Sequence, residues 1–276
     1  FYYLWMRYVV RAMLFAHDSF EKPVARAVLS MHMLVGARDL MMGLWSLSSF
    51  YRAMPADALG ELYIHSDGSL TDAHRAIIMR LFPSARIEDT KEFMAVHGEL
   101  VEPYPALKKF RETYKRFQIR IIDQYFLSDK KMRLFMDSDL LWFKEPTELV
   151  EAIRQGAPHP IMMSNSDFIR MEFADGTMTD DTTSRPNGGL VLFNKDQLTP
   201  EKLSAFLDKC DYVHKRFGDQ AWMAWCLKPI LLPESAYIIK GTLTDSIILR
   251  HYTAPQRLKF WFHGLTYNGL WRGILS

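Results

Sequence analysis

Met132-Arg-Leu-Phe-Met-Asp137-Ser-Asp139-Leu-Leu-Trp142 joins a strand-like apolar run to a pair of carboxylates at spacing two. Charge placed where a buried strand emerges lies at the carboxyl edge of a sheet, and that edge is where open α/β sheets bind ligands. Two ionised carboxylates so close repel each other and need a cation, hydrogen bonds or solvent. A hard divalent ion such as Mn²⁺ or Mg²⁺ meets that need and leaves coordination positions for phosphate oxygens. Taken alone, the D-x-D also reads as a solvated turn in which Asp137 caps a helix.

Outward from this stretch, strand-like and helix-like segments alternate, the pattern of an α/β sheet flanked by helices. Leu29–Val35 is an apolar run ending at Gly36, and residues 39–53 carry apolar positions at helical spacing until Pro55. Glu61–His65 reads as a second strand, followed by the turn signal Ser66-Asp67-Gly68. Ser69-Leu-Thr-Asp72 predicts a capping box. Further along come a helical stretch over 104–128, strands at 160–163 and 190–193, a helical region over 199–227 and a late strand over 246–250. Residues 171–187 read as a surface loop or lid. With no repeat and no linker, the expectation is a single domain over 28–276, preceded by a helical segment at 1–27.

Composition narrows the class. Over 276 residues, 49% hydrophobic and 24% charged, the chain has material for a large core and excludes disordered or collagen-like proteins. A net charge of +2 gives the chain as a whole no footprint for nucleic acid. Two cysteines make no disulfide scaffold, and none of Asn165, Asn187, Asn194 and Asn268 heads a glycosylation acceptor, which points to a cytoplasmic location. Phe1–Phe15 is aromatic but interrupted by Arg7 and Arg11. It reads either as a helix packed on the domain or as one lying at the inner face of a membrane. The sequence begins at Phe rather than Met, which leaves an earlier start open.

Other chemistry-bearing residues follow the D-x-D in order. Asn187-Gly188-Gly189 precedes a buried run, and the glycines permit close approach of backbone to a ligand. Asp219-Gln220 stands at a loop–helix junction, and His251 ends the late strand with Lys259 eight residues on. Singly these read as a plain turn, an N-cap and a surface histidine. Together, strand–D-x-D, N-G-G-φ-φ-φ-F-N, D-Q and strand–His…Lys resemble glycosyltransferase family 8 and its retaining GT-A relatives, from about Met31 to Trp261. Fifty residues separate Asp137 from Asn187, and 32 separate Asn187 from Asp219, an interval pattern similar to that family's. The family's late motif, H-F-x-G-x-x-K-P-W, here reads His251-Tyr-Thr, five residues, then Lys259-Phe-Trp261.

The resemblance implies a GT-A fold (a Rossmann-like, mixed but mostly parallel sheet flanked by helices) and a metal-dependent transferase. It would use a nucleotide-sugar donor, commonly a UDP-sugar, with Mn²⁺ (or Mg²⁺) held by Asp137, Asp139 and His251. Val35, Gly36, Arg38, Asp67 and Ser138 would meet the nucleoside, Lys259 the phosphates, and Arg120, Gly188 and Gly189 the donor sugar. Asn187, Asp219 and Gln220 would stand at the reacting face. The acceptor, a sugar or a lipid-linked or protein acceptor, is expected to be chosen by residues 165–187 and the tail from Trp261. Two alternatives remain on sequence grounds: a sugar-nucleotide-binding module without turnover, and a haloacid-dehalogenase-type phosphatase. The second needs its D-x-D on an early strand, whereas here more than 130 residues precede it.

Overall fold

A computed structural model describes residues 2–20, 22, 28–113, 122–164, 185–209, 218–254 and 256–267. Ten strands are formed: β1 Leu29–Val35, β2 Glu61–Ser66, β3 Arg86–Asp89, β4 Met132–Met136, β5 Leu140–Trp142, β6 Ile161–Ser164, β7 Pro186–Asn194, β8 Ile230–Leu231, β9 Tyr237–Ile238 and β10 Leu249–His251. The α-helices are α1 Tyr2–Phe15, α2 Leu40–Ala53, α3 Asp72–Leu81, α4 Phe93–His97, α5 Pro105–Thr113, α6 Gln124–Phe126, α7 Thr147–Arg154, α8 Pro200–Lys209, α9 Gly218–Leu227 and α10 Arg257–Tyr267.

The main sheet has the order β3-β2-β1-β4-β7-β6-β8. β7 runs against both of its neighbours and the remaining pairings are parallel. A small second sheet, β5-β10-β9, lies beyond the end of β4. Strand alternation sorts the core into two layers. Met31, Met33, Leu62, Ile64 and Leu134 face a layer that includes Trp45, Leu47 and Phe50 of α2. Phe135, Val191 and Phe193 face the opposite layer with Phe110 of α5, Phe206 of α8 and Trp222 of α9. Val10, Met13 and Leu14 of α1 are buried in the first layer, and α1 packs on α2 and α10. Among the described residues no helix is long and apolar enough to cross a membrane.

Three local expectations shift. Thr71, not Ser69, caps α3, its side chain accepting from the His74 amide while the His74 ring accepts from the Thr71 amide. Ser69 is drawn away by Asp67, whose Oδ1 accepts from the Ser69 amide at 3.0 Å. The late strand is Leu249–His251, and Ser246–Ile248 lead into it. Asn187-Gly188-Gly189 lie inside β7 rather than in a turn. Met162 pairs with Val191 but Met163 with Asn187, so residues 188–190 bulge away from β6 while Leu190 still pairs with Met136 of β4.

Beneath β1 and β2 runs a buried polar chain that fixes two histidine tautomers. Ser30 Oγ donates to the Met132 carbonyl at 3.3 Å, so it accepts from His32 Nε2 at 2.8 Å. His32 Nδ1 then accepts from His65 Nε2 at 3.0 Å. Burial, with further opposition from His65 and Arg133, pushes His32 far below its ordinary value, and burial brings His65 down to about 3. A histidine kept neutral in the fold but free to protonate once unfolded favours the unfolded chain in acid. This cost begins as pH falls below about 6.5 and grows towards pH 3, by about 1.4 kcal/mol per pH unit for each ring. Burial pushes Asp123 up to about 7 despite Arg111, and this acts in the opposite direction between about pH 4 and 7. One carboxyl does not offset two rings. The expected result is steep loss of stability below pH 6, relieved in His65→Gln, as read by denaturant midpoints against pH.

Candidate active site

The D-x-D turn is tied down from two sides. The Asp137 amide donates to the Gly189 carbonyl at 2.8 Å, and the Tyr252 amide donates to the Asp139 carbonyl at 2.8 Å. β10 also pairs antiparallel with β5, so that His251 lies opposite Leu140. The turn therefore sits between the β7 bulge and the end of β10, at the carboxyl edge of the main sheet. Here the structure brings together Asp137, Asp139, His251, Asn187 and Gly189, residues that lie up to 114 positions apart in the chain.

His251 Nε2 is 3.0 Å from Asp139 Oδ1 and 3.5 Å from Asp137 Oδ2. One ligand atom from each of the three lies within 4.8 Å of the others. Asn187 explains the ring's orientation. Its Oδ1 accepts from the Gly189 amide at 2.8 Å and lies 3.0 Å from His251 Nδ1. An amide oxygen only accepts, so Nδ1 carries a hydrogen, and Nε2 is the atom that faces the two carboxylates, as a donor when the ring is charged and as a lone pair when it is neutral. With the ring neutral, three acceptors converge, and a cation between them would satisfy all three. Two carboxylate oxygens and an imidazole nitrogen, with the histidine oriented by a hydrogen bond behind it, form a donor set suited to a divalent metal.

Arg257, absent from the sequence-derived site, occupies the other side of Asp139. Its Nε and Nη2 donate to Asp139 Oδ2 at 3.2 and 3.1 Å, and its Nη1 lies 3.5 Å from Asp39 Oδ1. Burial of Asp139 works to raise its pKa, but His251 and Arg257 together outweigh it and hold the carboxyl below its ordinary value. The Arg257 signal was available in the sequence, two positions before Lys259 in the lengthened His…Lys interval. Only the fold shows which of the two cations turns toward Asp139.

Beside the carboxylates lies the end of β1. A Cβ built on Gly43 of α2 would meet Val35 Cγ2 at 3.0 Å and Ser138 Cβ at 3.5 Å, so Val35 and Ser138 share one patch. A Cβ on Gly36 would fall 2.3 Å from Asp67 Oδ2, so this glycine lets Asp67 lie against the β1 loop. The Ala37 amide donates to Ser69 Oγ at 2.8 Å and closes the same corner. Arg38 is exposed on the loop. Asp219 and Gln220 stand in the first turn of α9, which packs on β7. Gln220 is buried, and its Oε1 has no partner among the described residues. Lys259 is exposed on α10 and lines a cavity with Arg250 and His263. Arg120 and residues 165–184 of the expected lid lie outside the described residues.

Strand order, the carboxyl-edge D-x-D and the flanking helices define a GT-A glycosyltransferase fold. Neither a protein-family model nor a curated protein matches the chain in sequence. Solved structures do match in shape. The WbbM bifunctional glycosyltransferase superposes with a TM-score of 0.57 at 12% identity, over 92% of this chain and 52% of that one, so the chain spans about half of WbbM's length. The galactosyltransferase LgtC, solved with donor and acceptor sugar analogues, gives 0.53 at 12% identity over 89% and 99% of the two chains. Mouse xyloside xylosyltransferase 1 gives 0.52 at 14% identity over 83% and 98%.

Proposed function

We propose that this protein is a metal-dependent glycosyltransferase that moves a sugar from a nucleotide-sugar donor, a UDP-sugar, to a hydroxyl acceptor with retention of configuration. The observation that carries this reading is the convergence of Asp137 Oδ2, Asp139 Oδ1 and His251 Nε2 at the carboxyl edge of the sheet. Asp137, Asp139 and His251 would hold Mn²⁺ or Mg²⁺, which when bound supplies Lewis-acid neutralisation of the departing diphosphate. Asn187 keeps His251 in its ligating tautomer, and Gly189 leaves room for that ring. Arg257, with its guanidinium on Asp139, takes the place of the phosphate-side cation that the family resemblance assigns to Lys259. Val35, Gly36, Asp67 and Ser138 form the nucleoside end of the cleft, with Arg38 and Arg120 as further donor contacts.

In the reaction, the bond from the anomeric carbon to the diphosphate breaks and its electron pair leaves with the nucleoside diphosphate. The acceptor oxygen bonds to that carbon on the same face, and its proton passes to the departing phosphate oxygen. Gln220 brings to the first turn of α9 an acceptor oxygen with no partner among the described residues, suited to stabilising positive charge that develops on the sugar. Asp219, its neighbour in that turn, would hold the donor sugar or the acceptor. Sugar, lipid-linked and protein acceptors all offer the required hydroxyl, and α1 is the segment that would lie against a membrane carrying a lipid-linked one.

The test is hydrolysis and transfer across a panel of nucleotide sugars, with Mn²⁺ and with EDTA. Mn²⁺-dependent release of nucleoside diphosphate is expected. Donor binding without any turnover would identify a silent sugar-nucleotide module, and inorganic phosphate released from phosphomonoesters would identify a phosphatase.

A further inference from the structure

Strand β10 presents its residues to opposite sides, and the side away from His251 carries Arg250. This arginine is 1% exposed, and none of its partners among the described residues is an acid. Nη1 donates to the Gly241 carbonyl and Nη2 to Gln256 Oε1, each at 2.7 Å, and the guanidinium lies 5.1 Å from the Tyr252 ring centre. Its Nε–H is buried and has no partner among the described residues. Buried guanidinium groups are ordinarily paired with an acid, and this one is held entirely by neutral groups.

Arg250 borders a cavity of about 150 Å³ between the 241–243 turn and one face of α10. That face contributes Lys259, His263 and Tyr267, each four positions after the last and so stacked one turn above another. Residues two apart on a helix lie on nearly opposite faces, which is why Arg257 turns toward Asp139 while Lys259 turns here. Burial, then the nearby Arg250 and Lys259, lower His263 to about 4, so the cavity already disfavours a further positive charge. The Tyr252 hydroxyl and His263 Nδ1 lie 2.8 Å apart, which ties this ring to the end of β10. None of the cavity's lining residues is acidic. Arg250 and Lys259 thus place two positive charges, and His263 an uncharged ring, beside one half-open cavity.

We propose that this cavity is a second ligand site, separate from the Asp137–Asp139–His251 centre, that takes a phosphate-type oxyanion. Such an ion supplies the negative charge that the acid-free surroundings of Arg250 and Lys259 lack, which a water does not. Free phosphate and the phosphomonoester end of a larger molecule present the same oxygens to these donors. The site lies at the junction of β10 and α10, which also carry His251 and Arg257.

The experiment follows the arginine Nε–H resonances of the full ¹⁵N-labelled chain while inorganic phosphate, or a soluble alkyl phosphate, is added at constant ionic strength against chloride. The Arg250 signal is assigned by its loss in Arg250→Lys. Saturable movement of that signal with either phosphate, and not with chloride, is expected. Movement with the alkyl phosphate alone would identify the ligand as part of a larger molecule. Lys259→Ala, a change at an exposed side chain, is expected to weaken the binding about tenfold, the loss of one charge-assisted hydrogen bond. Asp139→Asn is expected to leave it unchanged, which makes the result independent of the proposed transferase activity. A response equal to that of chloride, an unaltered affinity in Lys259→Ala, or loss of binding in Asp139→Asn would each overturn the proposal.

Discussion

Asp139→Asn is expected to lower metal-dependent donor turnover by about a thousandfold or more, with far-ultraviolet circular dichroism unchanged. Asp139 is 4% exposed and both of its oxygens are engaged, Oδ1 toward His251 and Oδ2 toward Arg257. The amide keeps the shape but removes one of two negative charges from the proposed metal centre. Its NH₂ group must also replace one oxygen. Facing His251, it takes the Nε2 lone pair that would bind the ion; facing Arg257, it sets donor against donor. Either way the cation loses charge compensation that it would otherwise share with the departing diphosphate. Metal assistance to such a leaving group is worth several kcal/mol, and about 1.4 kcal/mol is a factor of ten in rate. Two measurements check this: nucleoside diphosphate release in the presence of Mn²⁺, and Mn²⁺ binding by electron paramagnetic resonance. Near-wild-type values in both would remove the proposed metal centre.

Elements governed by local pattern were legible in the sequence. Leu29–Val35 is a continuous apolar run between punctuating residues, and Leu40–Ala53 carries apolar positions at helical spacing up to a proline; both form where the pattern puts them. The two carboxylates were legible for a related reason, since D-x-D after an apolar strand is a local signature of charge at a sheet edge. β7 was not fully legible. Asn187-Gly188-Gly189 has no alternation of side chains to mark it as strand, and two glycines favour a turn on propensity alone. What makes it strand is the pairing of Pro186 and Asn187 with Ser164 and Met163 of β6, with the Asp137 amide on the Gly189 carbonyl and Leu190–Asn194 continuing along β4. The bulge there aims Asn187 at His251, so the feature that hid the strand is also the one that builds the site.

Arg257 shows the complementary limit. Its partner Asp139 is 118 positions away, and Lys259 offers the same charge two residues later. Sequence spacing cannot tell them apart, whereas a helix turns them to nearly opposite sides. Asp39 was likewise passed over. It precedes α2 without making a side-chain cap and lies instead near Arg257. Polar residues whose partners come from distant elements carry no periodic signal, so His251 was joined to the two carboxylates only by family resemblance and Arg257 only from the fold.

Gly189→Ala is expected to reduce Mn²⁺ affinity by about a hundredfold while leaving the nucleoside end of the cleft intact. A Cβ at this position would lie 2.5 Å from His251 Nδ1 and 2.8 Å from Asn187 Oδ1, closer than any real contact. The backbone cannot retreat freely, because the Gly189 amide donates to Asn187 and its carbonyl accepts from the Asp137 amide. The imidazole is therefore the group that must yield, and it is 4% exposed with Asp139 on its other edge. Displacing it breaks the Asn187 hydrogen bond that fixes the tautomer, a loss that by itself costs about ten- to a hundredfold in metal affinity. Overpacking should cost a further 1–3 kcal/mol or so of stability, visible as a lowered denaturant midpoint. Gly36→Ala supplies the contrast. Its Cβ would press on Asp67 Oδ2 at 2.3 Å, so nucleotide affinity should fall with Mn²⁺ affinity retained. Calorimetric titration of both variants with Mn²⁺, and then with UDP, separates the two ends of the cleft. Unchanged Mn²⁺ binding in Gly189→Ala would count against His251 as a ligand, because the added methyl falls on the place the ring now occupies.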